Sequence, residues 1–153
     1  MGDQLTAEEP HGLIPWLDAR TDAYLRQVIA LIAEECPDAF AVILFGSVAR
    51  HEERPLNDRH PSDVDLLVLF APHQGQTELT GIQHDHLSRA IVRAYELVPD
   101  APRDVQVTAA LSHFARWDEM FVTHIARDGI LLWARAPLPD TLRGVTQRAM
   151  TPA

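Results

Sequence analysis

Residues 40–70 read FAVILFGSVARHEERPLNDRHPSDVDLLVLF, and no other stretch of the chain limits the fold so strongly. Phe40–Phe45 is an apolar run with branched residues at its centre, which suits a buried strand. Gly46-Ser47 ends it, and Ser47-Val48-Ala49-Arg50 has the make-up of a first helical turn. A polar loop broken by Pro55, Asn57, Asp58 and Pro61 follows. Ser62-Asp63-Val64-Asp65 then opens a second apolar run, Leu66–Phe70.

Asp63 and Asp65 carry the chemistry of this stretch. On a strand, positions i and i+2 point to one face with Cβ atoms about 6.5–7 Å apart. Two carboxylates held that way repel each other unless a cation lies between them. Hard oxygen donors of this kind suit Mg²⁺, which takes one or two carboxylates plus phosphate oxygens and water. An Asp-x-Asp at a strand start is by itself also a common turn signal. The Gly46-Ser47 turn separates the two readings. Glycine lets backbone approach a ligand, the N–H groups after it favour an anion, and Ser47 adds a hydroxyl. A phosphate grip beside a metal grip is the result.

GSVAR followed by SDVDLLV resembles the signature of the nucleotidyltransferase superfamily related to DNA polymerase beta, G-S-x-A-R, a spacer, then S-D-x-D and an apolar run. The likeness is greatest to its small stand-alone members, the minimal nucleotidyltransferases, and it covers about residues 20–134. It implies an α/β (α+β) fold: a mixed β-sheet with helices packed mainly on one face and the carboxylates at one end. It also implies one or two Mg²⁺ ions on Asp63 and Asp65 as metal-binding, catalytic residues. Gly46 and Ser47 would hold a triphosphate, with Ser62 and Arg50 as further nucleotide-binding positions; Arg50 would reach a phosphate or pair with Asp58. The superfamily's third carboxylate starts a later strand. Asp104 fits that place within the alternating Asp104-Val105-Gln106-Val107, and Gln106 is the other possible occupant. Asp104 could equally cap its strand or pair with Arg103, and Gln106 in that place would leave the site one carboxylate short.

The remaining chain frames this stretch. Residues 1–17, with Pro10, Gly12 and Pro15, read as a flexible leader whose Leu13, Ile14, Trp16 and Leu17 could still pack. Residues 18–135 make the domain. Asp18 or Thr21 caps a helix to about Glu35 with Leu25, Val28, Ile29 and Ile32 as its apolar stripe. A second helix is predicted over 79–97 with Ile82, Leu87, Ile91, Val92 and Tyr95 inward. A third is predicted over 114–127 with Trp117, Met120, Phe121, His124 and Ile125 inward. Asp128-Gly129 stops it before a short strand at 130–133. Residues 136–153, with Pro137, Pro139, Gly144 and Pro152, read as a tail.

Composition narrows the function. The net charge is −9, and all 13 basic residues are arginine. An acidic chain is ill suited to a nonspecific grip on nucleic acid, and a chain without lysine can use neither a catalytic lysine nor a Walker-type phosphate loop. The single cysteine, Cys36, precludes an internal disulfide and reads as an incidental thiol. The histidines lack the spacing of a zinc site. No apolar run reaches the ~18–20 residues of a membrane span, and no signal peptide is evident, so a cytoplasmic location is expected. The activity expected from the resemblance is Mg²⁺-dependent transfer of a nucleoside monophosphate, AMP from ATP, to a hydroxyl of a protein or small-molecule acceptor, with release of pyrophosphate. A helical, toxin-like partner protein is a possible acceptor, as in the family's toxin–antitoxin pairs. The alternative is a degenerate, non-catalytic module that masks such a partner.

Overall fold

The apolar run at the centre of the sequence forms strand β1 (Ala39–Phe45), buried along its length until Phe45. The structure is a computed structural model describing residues 13–114 and 117–147. Residues 1–12 of the predicted leader and 148–153 of the predicted tail lie outside these, as do 115–116 of the helix predicted over 114–127. In chain order the elements are helix α1 (Ala19–Glu35), β1, the single turn α2 (Gly46–Ala49), β2 (Val64–Phe70), α3 (Gly81–Leu97), β3 (Val105–Leu111), α4 (Glu119–Asp128), β4 (Ile130–Ala134), a 3₁₀ turn (Asp140–Leu142) and β5 (Thr146–Gln147). The strands form one sheet in the order β3-β2-β1-β4-β5. β1 runs antiparallel to both β2 and β4, while β2–β3 and β4–β5 are parallel. The expected mixed α+β architecture is therefore present.

Alternation along the strands divides the core into two layers. Val42, Leu44, Leu66, Val68 and Phe70 join Leu25, Val28, Ile29 and Ile32 of α1 and Leu87, Ala90 and Ala94 of α3. Ala41, Ile43, Leu67 and Leu69 face the other way, onto Phe114, Ile125 of α4, Leu142 and Val145. The two long helices thus share one face, as predicted, and the shorter α4 with the C-terminal segment covers the second. The stripe expected on α1 is fully buried. That expected on α3 holds at Leu87, which is buried, and at Ile91, which packs on the core, but Ile82, Val92 and Tyr95 are exposed, and Gln83, Ala90 and Ala94 point inward instead. Small alanines let α3 lie close against α1, and Gln83 closes a capping box with Thr80. On α4, Ile125 is the residue buried, while Met120 and His124 face solvent. That helix begins at Glu119, capped by Asp118.

Both ends of the described chain are docked. Leu13, Ile14 and Leu17 are buried. The buried Asp22 carboxylate accepts the N–H groups of Leu13 at 3.0 Å and Ile14 at 3.1 Å. The segment read as a tail is packed as far as residue 147: Leu142 and Val145 enter the second core layer, and β5 extends the sheet beside β4. Cys36 is buried, and burial pushes its thiol up to about 11, which keeps it protonated and unreactive near neutral pH. Among the described residues no helix is long and apolar enough to cross a membrane.

Candidate functional site

One end of the sheet gathers the residues singled out by the sequence. Because β1 and β2 are antiparallel, the carboxyl end of β1 meets the amino end of β2, with Phe45 opposite Asp65. Gly46, the next residue, has φ +80°, where L side chains are strained. A Cβ built on Gly46 would stand 2.4 Å from Asp65 Oδ2. Glycine is therefore required twice at this position, for its backbone angle and for the space that the Asp65 carboxylate occupies. The Gly46-Ser47 turn and the second carboxylate are in direct contact, which the sequence could place only in the same region. Gly46 and Ser47 open α2, and Arg50 closes it, its N–H donating to the Gly46 carbonyl at 3.2 Å.

Asp63 lies just before β2 and Asp65 is its second residue, so the pair sits at one end of the sheet with Asp65 half-buried. Burial first, and then the Asp63 charge, pushes the Asp65 carboxyl above the ordinary carboxylate range, while Arg50 pulls it back. Arg50 also acts on Asp128 at the end of α4. Its own guanidinium donates from Nε to Glu52 at 3.0 Å; the pairing expected with Asp58 is replaced by this one. Two mutually repelling carboxylates, one partly desolvated, form a donor set that fits a hard divalent cation completing its shell with water or phosphate oxygens.

Ser62 helps to hold the backbone at the start of β2. It is buried, its hydroxyl accepts the Arg54 N–H at 2.8 Å, and its carbonyl accepts Arg103 Nη1 at 2.8 Å. Those bonds fix the backbone just ahead of Asp63. Arg103, only 6% exposed, is a residue the sequence reading missed. Its N–H donates to Thr21 Oγ1 at 3.3 Å and its Nε lies 3.9 Å from Asp18 Oδ1, so it ties the start of β2 to the start of α1. An arginine between a proline and an alternating strand was the available signal, but nothing in it named Ser62 as the partner.

Asp104, predicted as the third carboxylate, immediately precedes β3, beside the start of β2. The Asp104 carbonyl accepts the Val64 N–H at 2.8 Å, so its backbone adjoins β2. Its charge, however, acts on Tyr24 of α1, whose hydroxyl is held above its ordinary range by burial, then Asp104, then Tyr95. Asp104 and Gln106, with Tyr24, Tyr95 and Arg103, line one cleft of about 170 Å³ on that flank. The residue paired with Asp65 across the parallel β2–β3 ladder is Gln106. Among the described residues no group of three or more His, Cys, Asp or Glu side chains is arranged to hold a metal.

No protein-family profile matches the chain. No curated protein matches it either. Among solved structures, it is similar to a toxin–antitoxin complex with AMP-PNP (20% identity, 71% of this chain and 72% of that one, TM-score 0.46). A mutant of the toxin–antitoxin MntA–HpeT is similar at 18% identity, 71% and 72% coverage and TM-score 0.46. A provisionally named nucleotidyltransferase from Sulfolobus solfataricus gives 19% identity, 77% and 89% coverage and TM-score 0.42. Likenesses of this size carry no weight for function; the geometry of the sheet end has to carry it.

Proposed function

We propose that the corner formed by Gly46, Ser47, Asp63 and Asp65 binds a magnesium nucleoside triphosphate, and that the protein is a nucleotidyltransferase. The observation that carries this reading is the contact of the Gly46 backbone with the Asp65 carboxylate, which puts a phosphate-compatible turn and a cation-compatible pair at one point. Asp63 and Asp65 would hold Mg²⁺, which when bound neutralises triphosphate charge and polarises the phosphoryl group under attack. Gly46 offers close backbone approach and Ser47 a hydroxyl toward the phosphates. Arg50, whose charge reaches Asp65, adds a cation on the same side. In the reaction an acceptor hydroxyl oxygen bonds to the α-phosphorus as the bond from that phosphorus to the β-phosphate oxygen breaks. Pyrophosphate leaves and the hydroxyl proton passes to water. The protein's contribution is position and charge.

The donor is proposed to be ATP and the acceptor a hydroxyl on a protein or a small molecule; a net charge of −9 disfavours nucleic acid in that place. A helical protein, as in a toxin–antitoxin pair, is the macromolecular acceptor proposed. Incubation with Mg²⁺ and ATP labelled at the α-phosphate, together with that acceptor, should release pyrophosphate and leave label on a hydroxyl. A second reading is favoured by one observation: among the described residues no three His, Cys, Asp or Glu side chains are grouped to hold a metal. In that reading the chain binds nucleotide without turnover and acts by masking its partner. Nucleotide binding with no pyrophosphate release would select it.

A further inference from the structure

The two edges of the sheet are built differently. β5, at one side, has two residues, while β3, at the other, has seven. β3 pairs with β2 in an unbroken parallel register from Val105 to Leu111. The Val64 N–H donates to the Asp104 carbonyl, and the Ser112 N–H donates to the Phe70 carbonyl. Successive residues of a strand turn their backbone groups to opposite sides, so those of Gln106, Thr108 and Ala110 point to β2. Those of Val105, Val107 and Ala109 point outward, where the sheet has no further strand. Exposed edges are ordinarily guarded by charge, proline, a bulge or shortness. β5 is guarded by its shortness. The sequence of β3, VQVTAAL, carries no charge and no proline, and its register has no bulge. It is an uncharged edge on a chain of net charge −9. Beside it, Tyr95 of α3 lines one cleft with Val105 and Gln106. Tyr95 and Val92, three residues apart, are 58% and 55% exposed. Helical spacing sets both on the side of α3 away from Ala90 and Ala94, which pack toward α1.

We propose that β3 pairs antiparallel with β3 of a second copy of this chain, about a two-fold axis at Val107. That axis sets Val107 beside the partner's Val107, Val105 beside the partner's Ala109 and Gln106 beside the partner's Thr108. Each of Val105, Val107 and Ala109 then exchanges two backbone hydrogen bonds with the residue opposite. No like charges face each other along the paired strands, which makes this edge the least repulsive meeting line for two acidic chains. The same patch serves both copies, so the contact closes at a dimer. The two five-stranded sheets become one, and the two α3 helices come side by side across the junction, covering Val92 and Tyr95. Because β2 and β3 are parallel, the Asp63/Asp65 corners of the two copies lie toward opposite ends of the joined strands.

The test is sedimentation equilibrium of the full chain over a range of concentrations, with amide hydrogen exchange recorded alongside. The native chain should form dimers, and the amides of Val105, Val107 and Ala109 should exchange more slowly as they form. Gln106→Lys/Thr108→Lys sets like charges opposite each other and should weaken the dimer about ten-fold or more. Gln106→Glu/Thr108→Glu should do the same, and an equimolar mixture of the two variants should recover dimers. Val92→Glu/Tyr95→Glu changes exposed positions outside β3 and should also weaken the dimer. Circular dichroism checks that each variant folds. A chain that is monomeric at every concentration would overturn the proposal, and protection of the three amides in that monomer would assign the edge to another segment of the same chain. Dimers that persist in every variant, or a mixture of folded Lys and Glu variants that stays monomeric, would also overturn it.

Discussion

At Gly46 two demands meet in one residue, a φ of +80° and a carboxylate oxygen where a Cβ would be. Gly46→Ala must move Asp65 or the turn, so it should lower nucleotide affinity about ten-fold or more and cost about 1–3 kcal/mol of stability. Calorimetric titration and urea unfolding read the two effects separately. Asp65 gives the opposite sign. Its pKa is raised in the folded protein by burial and by Asp63, so the native state binds more protons than the unfolded chain between the unfolded and folded values. The stability associated with this carboxyl therefore falls as pH rises through that window and stays low at neutral pH. Asp65→Asn should raise the Tm of the cation-free protein at pH 7 by roughly 2–5 °C, since a gain of about 1 kcal/mol corresponds to shifts of that order. The same change should abolish stabilisation by Mg²⁺. A lower Tm in that variant would show that Asp65 is held by favourable partners and not in a repelling pair.

At the scale of elements, the start of β2 is set by its neighbours. Arg103 holds the Ser62 carbonyl ahead of Asp63 and sits almost fully buried between the starts of α1 and β2. Arg103→Met should cost about 2–4 kcal/mol by leaving that carbonyl without its donor and the Asp18 carboxylate, 3.9 Å away, without the nearby positive charge. It should also weaken Mg²⁺ binding although Arg103 touches no candidate ligand; the chemical-denaturation midpoint and the Mg²⁺ titration check each part. Strands β1 and β2 were legible because unbroken apolar runs mark strands buried on both faces, and Asp63 and Asp65 were legible because a two-residue period fixes a shared face. The third position was not. Asp104 and Gln106 share a polar face in the sequence, and the choice between them depends on a register across β2 and β3, strands separated by the whole of α3. The bonds that Arg54 and Arg103 make to Ser62 were not legible either, since nothing in the sequence names either partner. The inward face of α3 was misread because alanines packed against α1 carry little hydrophobic signal, while larger Ile82, Val92 and Tyr95 project to solvent.

Across the whole molecule, a mixed sheet with a core layer on each face carries the ends of β1 and β2 that make up the candidate site. The second layer depends on the C-terminal segment. Leu142 is fully buried against it, and its truncation to alanine should cost about 2–4 kcal/mol, read as a lower urea midpoint. A solvent-exposed tail, as the prolines implied, would predict no change. We propose that this sheet end binds a nucleoside triphosphate through a cation on Asp63 and Asp65. The most direct measurement is calorimetric titration of ATP, GTP, CTP and UTP into the native chain and into Asp63→Asn/Asp65→Asn, each with Mg²⁺ and with chelator. Mg²⁺-dependent binding of at least one nucleotide, with ATP preferred, that disappears in the double variant is the predicted result. Binding that survives the double variant, or no binding of any nucleotide to the native chain, would contradict the account.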